Sequence, residues 1–113
     1  MTNYVVVLIT VPSRDVGEAI AGALLEQQLA ACVNIVAPIT SWYVWRGEMC
    51  RDEELLLIAK TRAGLFQDRF IPAVKALHPY EVPEIIALPI VMGSEDYLAW
   101  LDSSVAQPVA GES

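Results

Sequence analysis

Cys32-Val33-Asn34-Ile35-Val36-Ala37-Pro38-Ile39-Thr40-Ser41-Trp42-Tyr43-Val44-Trp45 reads as a strand, Gly47 supplies a turn, and a second strand follows from Glu53 to Arg62. Ser41, Tyr43 and Trp45 alternate onto one face while Trp42 and Val44 take the other, so this arm carries bulky groups on both sides. Pro38 inside the first strand demands an edge or a bulge, because proline cannot donate to a ladder. The acidic group Glu48, Asp52, Glu53 and Glu54 falls around the turn and reads as solvated.

Outward from this hairpin, Tyr4 to Val11 is a continuous apolar, largely β-branched run that ends at Pro12 and suits a buried strand. Asp15 with Glu18 forms a possible capping box for a helix from Asp15 to Ala31, with Val16, Ile20, Ala23 and Leu24 at helical spacing. Gly64 to His78 predicts a second helix on the stripe Leu65, Phe66, Phe70, Val74 and Leu77, kinked or restarted at Pro72. Glu84 to Val91 is a last strand, with Pro89 marking an edge or bulge, and Ser94 caps a short helix that docks through Tyr97, Leu98 and Leu101. The order is βαββαβ plus a C-terminal helix. It predicts an α+β, ferredoxin-like antiparallel sheet with both helices on one face and the other face open. Residues 1–102 form one domain, and from Ser103 to Ser113 the small, polar, Pro- and Gly-containing sequence reads as a flexible tail.

An apolar fraction of 55% and a mean hydropathy of +0.44 are high for a chain of 113 residues, which predicts that a partner hides part of the surface, a further copy of the chain first. The net charge of −7 works against a nucleic-acid partner. No apolar run reaches the length of a membrane span, and the N-terminus lacks the basic flank and cleavage site of a secretory signal. With only Cys32 and Cys50, outside any C-x-x-C pair, reduced thiols in a cytoplasmic setting are expected.

The run His78-Pro79-Tyr80-Glu81-Val82-Pro83-Glu84-Ile85 puts the sole histidine, a phenol and two carboxylates on one stiff connector. Polar side chains on a rigid loop suit recognition, although a histidine at a helix C-terminus is also electrostatically comfortable there. Lys60 ends an apolar strand, where it either lays its stem along the sheet or contacts an anion. Tyr43 and Trp45 suit interface packing more than a ligand platform. Cys32, flanked by Ala31 and Val33, reads as a small buried residue whose thiolate could bind Cu(I).

Five spaced elements occur in one order: Ala30-Ala31-Cys32-Val33-Asn34; Ser41-x-Tyr43-x-Trp45-x-Gly47; Lys60-Thr61; His78-Pro79-Tyr80-Glu81-x-Pro83-Glu84; and Tyr97-Leu98-x-Trp100. Over residues 4–102 the chain thereby resembles the CutA divalent-cation-tolerance family. The resemblance implies a PII-like homotrimer of ferredoxin-like subunits, involved in copper or divalent-metal tolerance, with no established catalysis. It places Asn34, Tyr43, Trp45, Lys60, Thr61, Tyr80, Glu81 and Glu84 as candidates around clefts between subunits, and His78 and Cys32 as candidate ligands for Cu(II) or another divalent cation. Ile9 and Leu77 stand where copper-binding members carry a first-strand cysteine and a second histidine, so of that constellation only His78 remains. Two other classes stay open. One is an enzyme using His78 or Glu81 as acid or base with Lys60 holding an anion; the other is a structural scaffold that only displays surfaces to other proteins.

Overall fold

The computed structural model describes residues 3–107. Strand β1 (Tyr4–Val11) leads into helix α1 (Arg14–Glu26), followed by β2 (Cys32–Trp45) and β3 (Glu48–Arg62). A 3-10 turn (Ala63–Leu65), a π-helical turn (Phe66–Phe70) and helix α2 (Ile71–Lys75) come next, and β4 (Ile85–Pro89) and α3 (Glu95–Ser104) complete the chain. The strands form one antiparallel sheet in the order β2-β3-β1-β4. The class is α+β, a four-stranded antiparallel sheet with helices, as the element order implied.

Period-two alternation decides which side each strand residue serves. Val5, Val7, Ile9 and Val11 of β1, with Leu57 and Ala59 of β3, turn to one side and join Ile20 and Leu24 of α1 and Phe70 and Val74 from the second helical segment in the core. The opposite side carries Val6, Leu8, Leu56 and Ile58, only half-buried, and Ile86 and Leu88 of β4, each about half exposed. Helix α3 closes one end of that side, where Tyr4 and Arg62, a register pair, both hold Asp102.

The first helix starts one residue before the expected capping box, because the Ser13 hydroxyl accepts from the Val16 N–H at 3.3 Å and caps it. It also ends well before Ala31. Gln28 takes a positive φ of 57°, Leu29 N–H donates to the Leu24 carbonyl at 2.8 Å, and Leu29 and Ala30 turn into the core. Pro72 sits at the start of α2, and the π-helical turn before it absorbs the restart anticipated at that proline. Leu77, read as part of the apolar stripe, is exposed instead because α2 stops at Lys75.

The second strand of the hairpin starts at Glu48 rather than Glu53, so the acidic group lies on a strand and not around a turn. The turn itself is only Arg46-Gly47, both with positive φ. Strand β1 pairs with β3 only from Leu55 to Arg62, so the hairpin beyond Leu55 projects as a two-stranded arm, in a molecule measuring 43 × 26 × 25 Å. Pro38 is accommodated at an irregularity between Val36 and Ile39 on edge strand β2, and Pro89 ends edge strand β4. The expected tail boundary moves outward: Ser103 and Ser104 close α3 through hydroxyl bonds to the Trp100 carbonyl, Val105 is buried, and Ala106 N–H donates to the Gln28 carbonyl. The rest of the stretch read as tail, from residue 108, lies outside the described residues.

Candidate functional site

The arm and the connector after α2 border a cleft of about 630 Å³. Of the residues singled out in the sequence, Tyr43, Trp45, Tyr80, Glu81 and Glu84 line it together. Trp42, Thr10 and Glu54 are also in its walls. The connector reaches this position because His78 fastens it to β1. His78 Nε2 lies 2.8 Å from the Thr10 carbonyl and donates to it, while Nδ1 accepts from the Tyr80 N–H at 3.2 Å. Two backbone partners therefore orient the ring, with Nδ1 as acceptor and Nε2 as donor, in a site only 7% exposed. Its ring also stacks obliquely on that of Tyr80, with centroids 4.8 Å apart.

From this anchored turn, Tyr80 extends over the sheet and donates its hydroxyl to Glu54 Oε2 at 2.6 Å. Glu54 is 5% exposed, although the sequence placed it among solvated carboxylates. The reason is register: Glu54 opposes Ile39 just beyond the β2 irregularity, on the face that Tyr80 covers. Tyr43 donates likewise to Asp52, a diagonal cross-strand neighbour, since its direct register partner is Cys50. Hydrogen bonding to Asp52 pushes the Tyr43 hydroxyl up to about 12. Burial, followed by the bond to Glu54, raises that of Tyr80 well above the ordinary phenol range. Both phenols are thus hydrogen-bond donors at neutral pH. At the mouth, Glu81 pairs with Arg46 at 3.0 Å, an exposed bridge that also brings the Arg46 guanidinium over the Trp45 ring.

Asn34, Lys60 and Cys32 gather elsewhere. Cys32 opposes Lys60 in the ladder, Lys60 Nζ donates to Asn34 Oδ1, and it approaches Cys32 Sγ at 3.7 Å. Tyr97 of α3 lies close by, its hydroxyl raised by burial and by Cys32. Lys60 registers with Val6 whereas His78 bonds Thr10, four positions along β1, roughly 13 Å at ~3.3 Å per residue. Thr61 belongs to neither group; it is fully buried on the helical side and its hydroxyl has no partner.

This arrangement bears on each chemistry considered from the sequence. A copper ion held by His78 and Cys32 would need both at one place, and they stand apart, with both imidazole nitrogens already engaged. Among the described residues no group of three or more His, Cys, Asp and Glu side chains is set to hold a metal ion. The residues as placed do not fit a metal resident in one subunit. An acid or base at His78 assisted by Lys60 meets the same separation. Also among the described residues, no helix is long and apolar enough to cross a membrane. Sequence reasoning missed Glu54, and only an exact strand start and the location of the β2 irregularity would have revealed it.

A family model described as CutA1 divalent ion tolerance protein matches residues 5–104. Divalent-cation tolerance protein CutA of Thermus thermophilus is 58% identical over 96 residues, covering 85% of this chain and 92% of that one. Protein CutA 1, chloroplastic, of Oryza sativa is 48% identical over 103 residues, which are 91% of this chain and 58% of that longer protein. A solved structure of the divalent cation tolerance protein (Cut A1) from Thermus thermophilus superposes with a TM-score of 0.88 at 54% identity, covering 91% of this chain and 99% of its own.

Proposed function

The chain belongs to the CutA1 divalent ion tolerance family, and from that premise we propose that it serves tolerance of divalent cations, copper among them, as a PII-like homotrimer of ferredoxin-like subunits whose working site is the cleft beside Tyr80. The observation that carries this reading is the arm. Trp42, Val44 and Met49 on one of its sides are 65%, 70% and 76% exposed, and the sheet leaves a half-buried apolar face, with Leu56 and Ile58, on its other side. A two-stranded ribbon is marginal alone in water, and apolar surface on this scale favours cover by further copies. The cleft runs along that arm, where a neighbouring copy would border it.

The reading routes no step through an ion held by His78 and Cys32, and it is non-catalytic. Its support on the second point is that both ring nitrogens of the single imidazole already have backbone partners. The two thiols, Cys32 and Cys50, stand unbridged, which suits the cytoplasmic, reducing location that belongs to the same proposal.

The test joins assembly to phenotype. Native mass spectrometry of the wild type should give three chains per particle, and the protein should restore growth of a copper-sensitive strain. Val44→Glu with Met49→Ala, both on the exposed side of the arm and outside the cleft, should lower the mass to one chain and abolish rescue. Rescue by a folded monomer would sink the trimeric reading; a wild-type trimer without rescue would sink tolerance.

A further inference from the structure

Glu54 is a buried carboxylate with no cationic partner among the described residues. Its Oε2 accepts from Tyr80, and among the described residues no donor reaches Oε1 and no Lys, Arg or His forms a salt bridge with it. Buried charges are otherwise paired, because desolvation penalises an isolated ion. The cleft onto which Glu54 opens is lined by further carboxylates, Glu81 and Glu84, and by four aromatic rings, with no basic side chain in its walls. Among the described residues, Glu81 is the one of these carboxylates that has a bridge, to Arg46.

The aromatic walls already display their affinity for cations. The Arg46 guanidinium lies 5.4 Å from the Trp45 ring centroid and that of Arg51 5.7 Å from Trp42. Both arginines direct their charge to exposed carboxylates, Glu81 and Glu53, and neither reaches Glu54. A hard divalent ion would need several oxygen ligands converging on one point, and no such group exists among the described residues. A compact ammonium on an alkyl stem fits better: its charge answers Glu54, its N–H groups are donors for a site rich in acceptors, and its stem lies along the rings.

We infer that the cleft between the arm and the Tyr80 connector binds a small organic ammonium ion, with Glu54 as its counter-charge and Trp42, Trp45, Tyr43 and Tyr80 as its walls. This deepens the reading of the cleft as the working site and rests on it. Glu54 is the specificity-determining residue, and Tyr80 positions its carboxylate by the 2.6 Å bond.

The test uses the full-length protein in its native assembly and follows tryptophan fluorescence and calorimetry at constant ionic strength. The probes are n-butylammonium, butane-1,4-diammonium, neutral 1-butanol and Mg²⁺. Saturable binding is expected with both ammonium ions and not with butanol or Mg²⁺. Glu54→Gln, which keeps an acceptor for Tyr80, should weaken ammonium binding roughly tenfold, as loss of a charge-assisted contact does. Trp100→Phe, on α3, should leave it unchanged. If Glu54→Gln fails to fold, Glu84→Gln should show a weaker loss of the same sign. Equal binding of butanol, binding unaffected by a folded Glu54→Gln, or binding that appears only after a cation of a neighbouring copy is removed by Lys60→Met, Arg69→Ala or Lys75→Ala would each overturn the inference. Native mass and strain rescue are read in parallel. A rescuing trimer that binds no ammonium refutes the ligand alone, while ammonium binding by a chain that neither assembles nor rescues refutes the functional reading.

Discussion

The hydroxyl of Tyr80 donates to Oε2 of Glu54 at 2.6 Å, tying the connector after α2 to the inner strand of the arm. One end of that connector is clipped to β1 by His78, and its middle is held by this bond, so the cleft wall is fastened at two points. Tyr80→Phe removes the donor and leaves the buried Glu54 carboxylate unsatisfied. A loss of about 1–3 kcal/mol in unfolding free energy is expected, measured by urea denaturation. A change within error would mean that the connector contributes nothing to holding Glu54.

The His78 imidazole serves both the Thr10 carbonyl and the Tyr80 N–H from a buried position. His78→Ala should therefore cost roughly 2–4 kcal/mol through two orphaned backbone groups and a cavity. Calorimetry with Cu(II), run well below the melting transition, should give the same isotherm for variant and wild type. A clear loss of copper binding in the variant would return His78 to the role of ligand.

Asp102 holds a carboxyl below the usual range, first because Tyr4 donates to it at 2.8 Å and then because the Arg62 guanidinium sits at 2.8 Å. A depressed folded-state value makes its contribution fully present above the ordinary pKa of ~3.9 and lost as pH falls through the lower folded value. Asp102→Asn should flatten the acid limb of the stability profile. It also strands the buried Arg62 side chain; since the Asp102 side chain is 41% exposed and screened, the cost at neutral pH should be about 1–2 kcal/mol. Unchanged acid sensitivity in thermal melts from neutral to strongly acidic pH would contradict the pairing.

Tyr43 titrates upward, to about 12, because its hydroxyl donates to Asp52. For a raised phenol the sign is the reverse of Asp102. The stabilisation is complete below the ordinary value of ~10 and disappears as pH climbs through the raised one. Asp52→Asn should bring one phenolate absorbance step back toward ordinary tyrosine in a spectrophotometric titration. Identical titrations would show that the Tyr43 hydroxyl does not depend on Asp52.

Much of the architecture was legible because strand and helix periods are written locally. Alternation from Tyr4 to Val11, the hairpin at Gly47 and the helical stripe around Phe70 and Val74 each need only a few neighbouring residues to be read. Errors fell at boundaries, where a distant contact decides. Leu29 and Ala30 end α1 early by entering the core, and Val105 is drawn in beyond Ser104.

The family resemblance nominated Asn34, Tyr43, Trp45, Lys60, Thr61, Tyr80, Glu81 and Glu84 for clefts between subunits, and of these Tyr43, Trp45, Tyr80, Glu81 and Glu84 line one cleft of the chain. Sequence could not separate them from Asn34 and Lys60, which share the same strands but sit several residues along the ladder. It also could not assign Glu54 to the interior. A carboxylate beside a turn is cheaply hydrated, and only the cover supplied by Tyr80, brought from 26 positions away, removes it from water. Composition and pattern thus determined the class of fold and the apolar excess of the chain. The tertiary structure decided which polar groups share a cavity and which are consumed as fasteners, because hydrogen-bond partners and burial depend on strand register and chain crossings that no local pattern encodes.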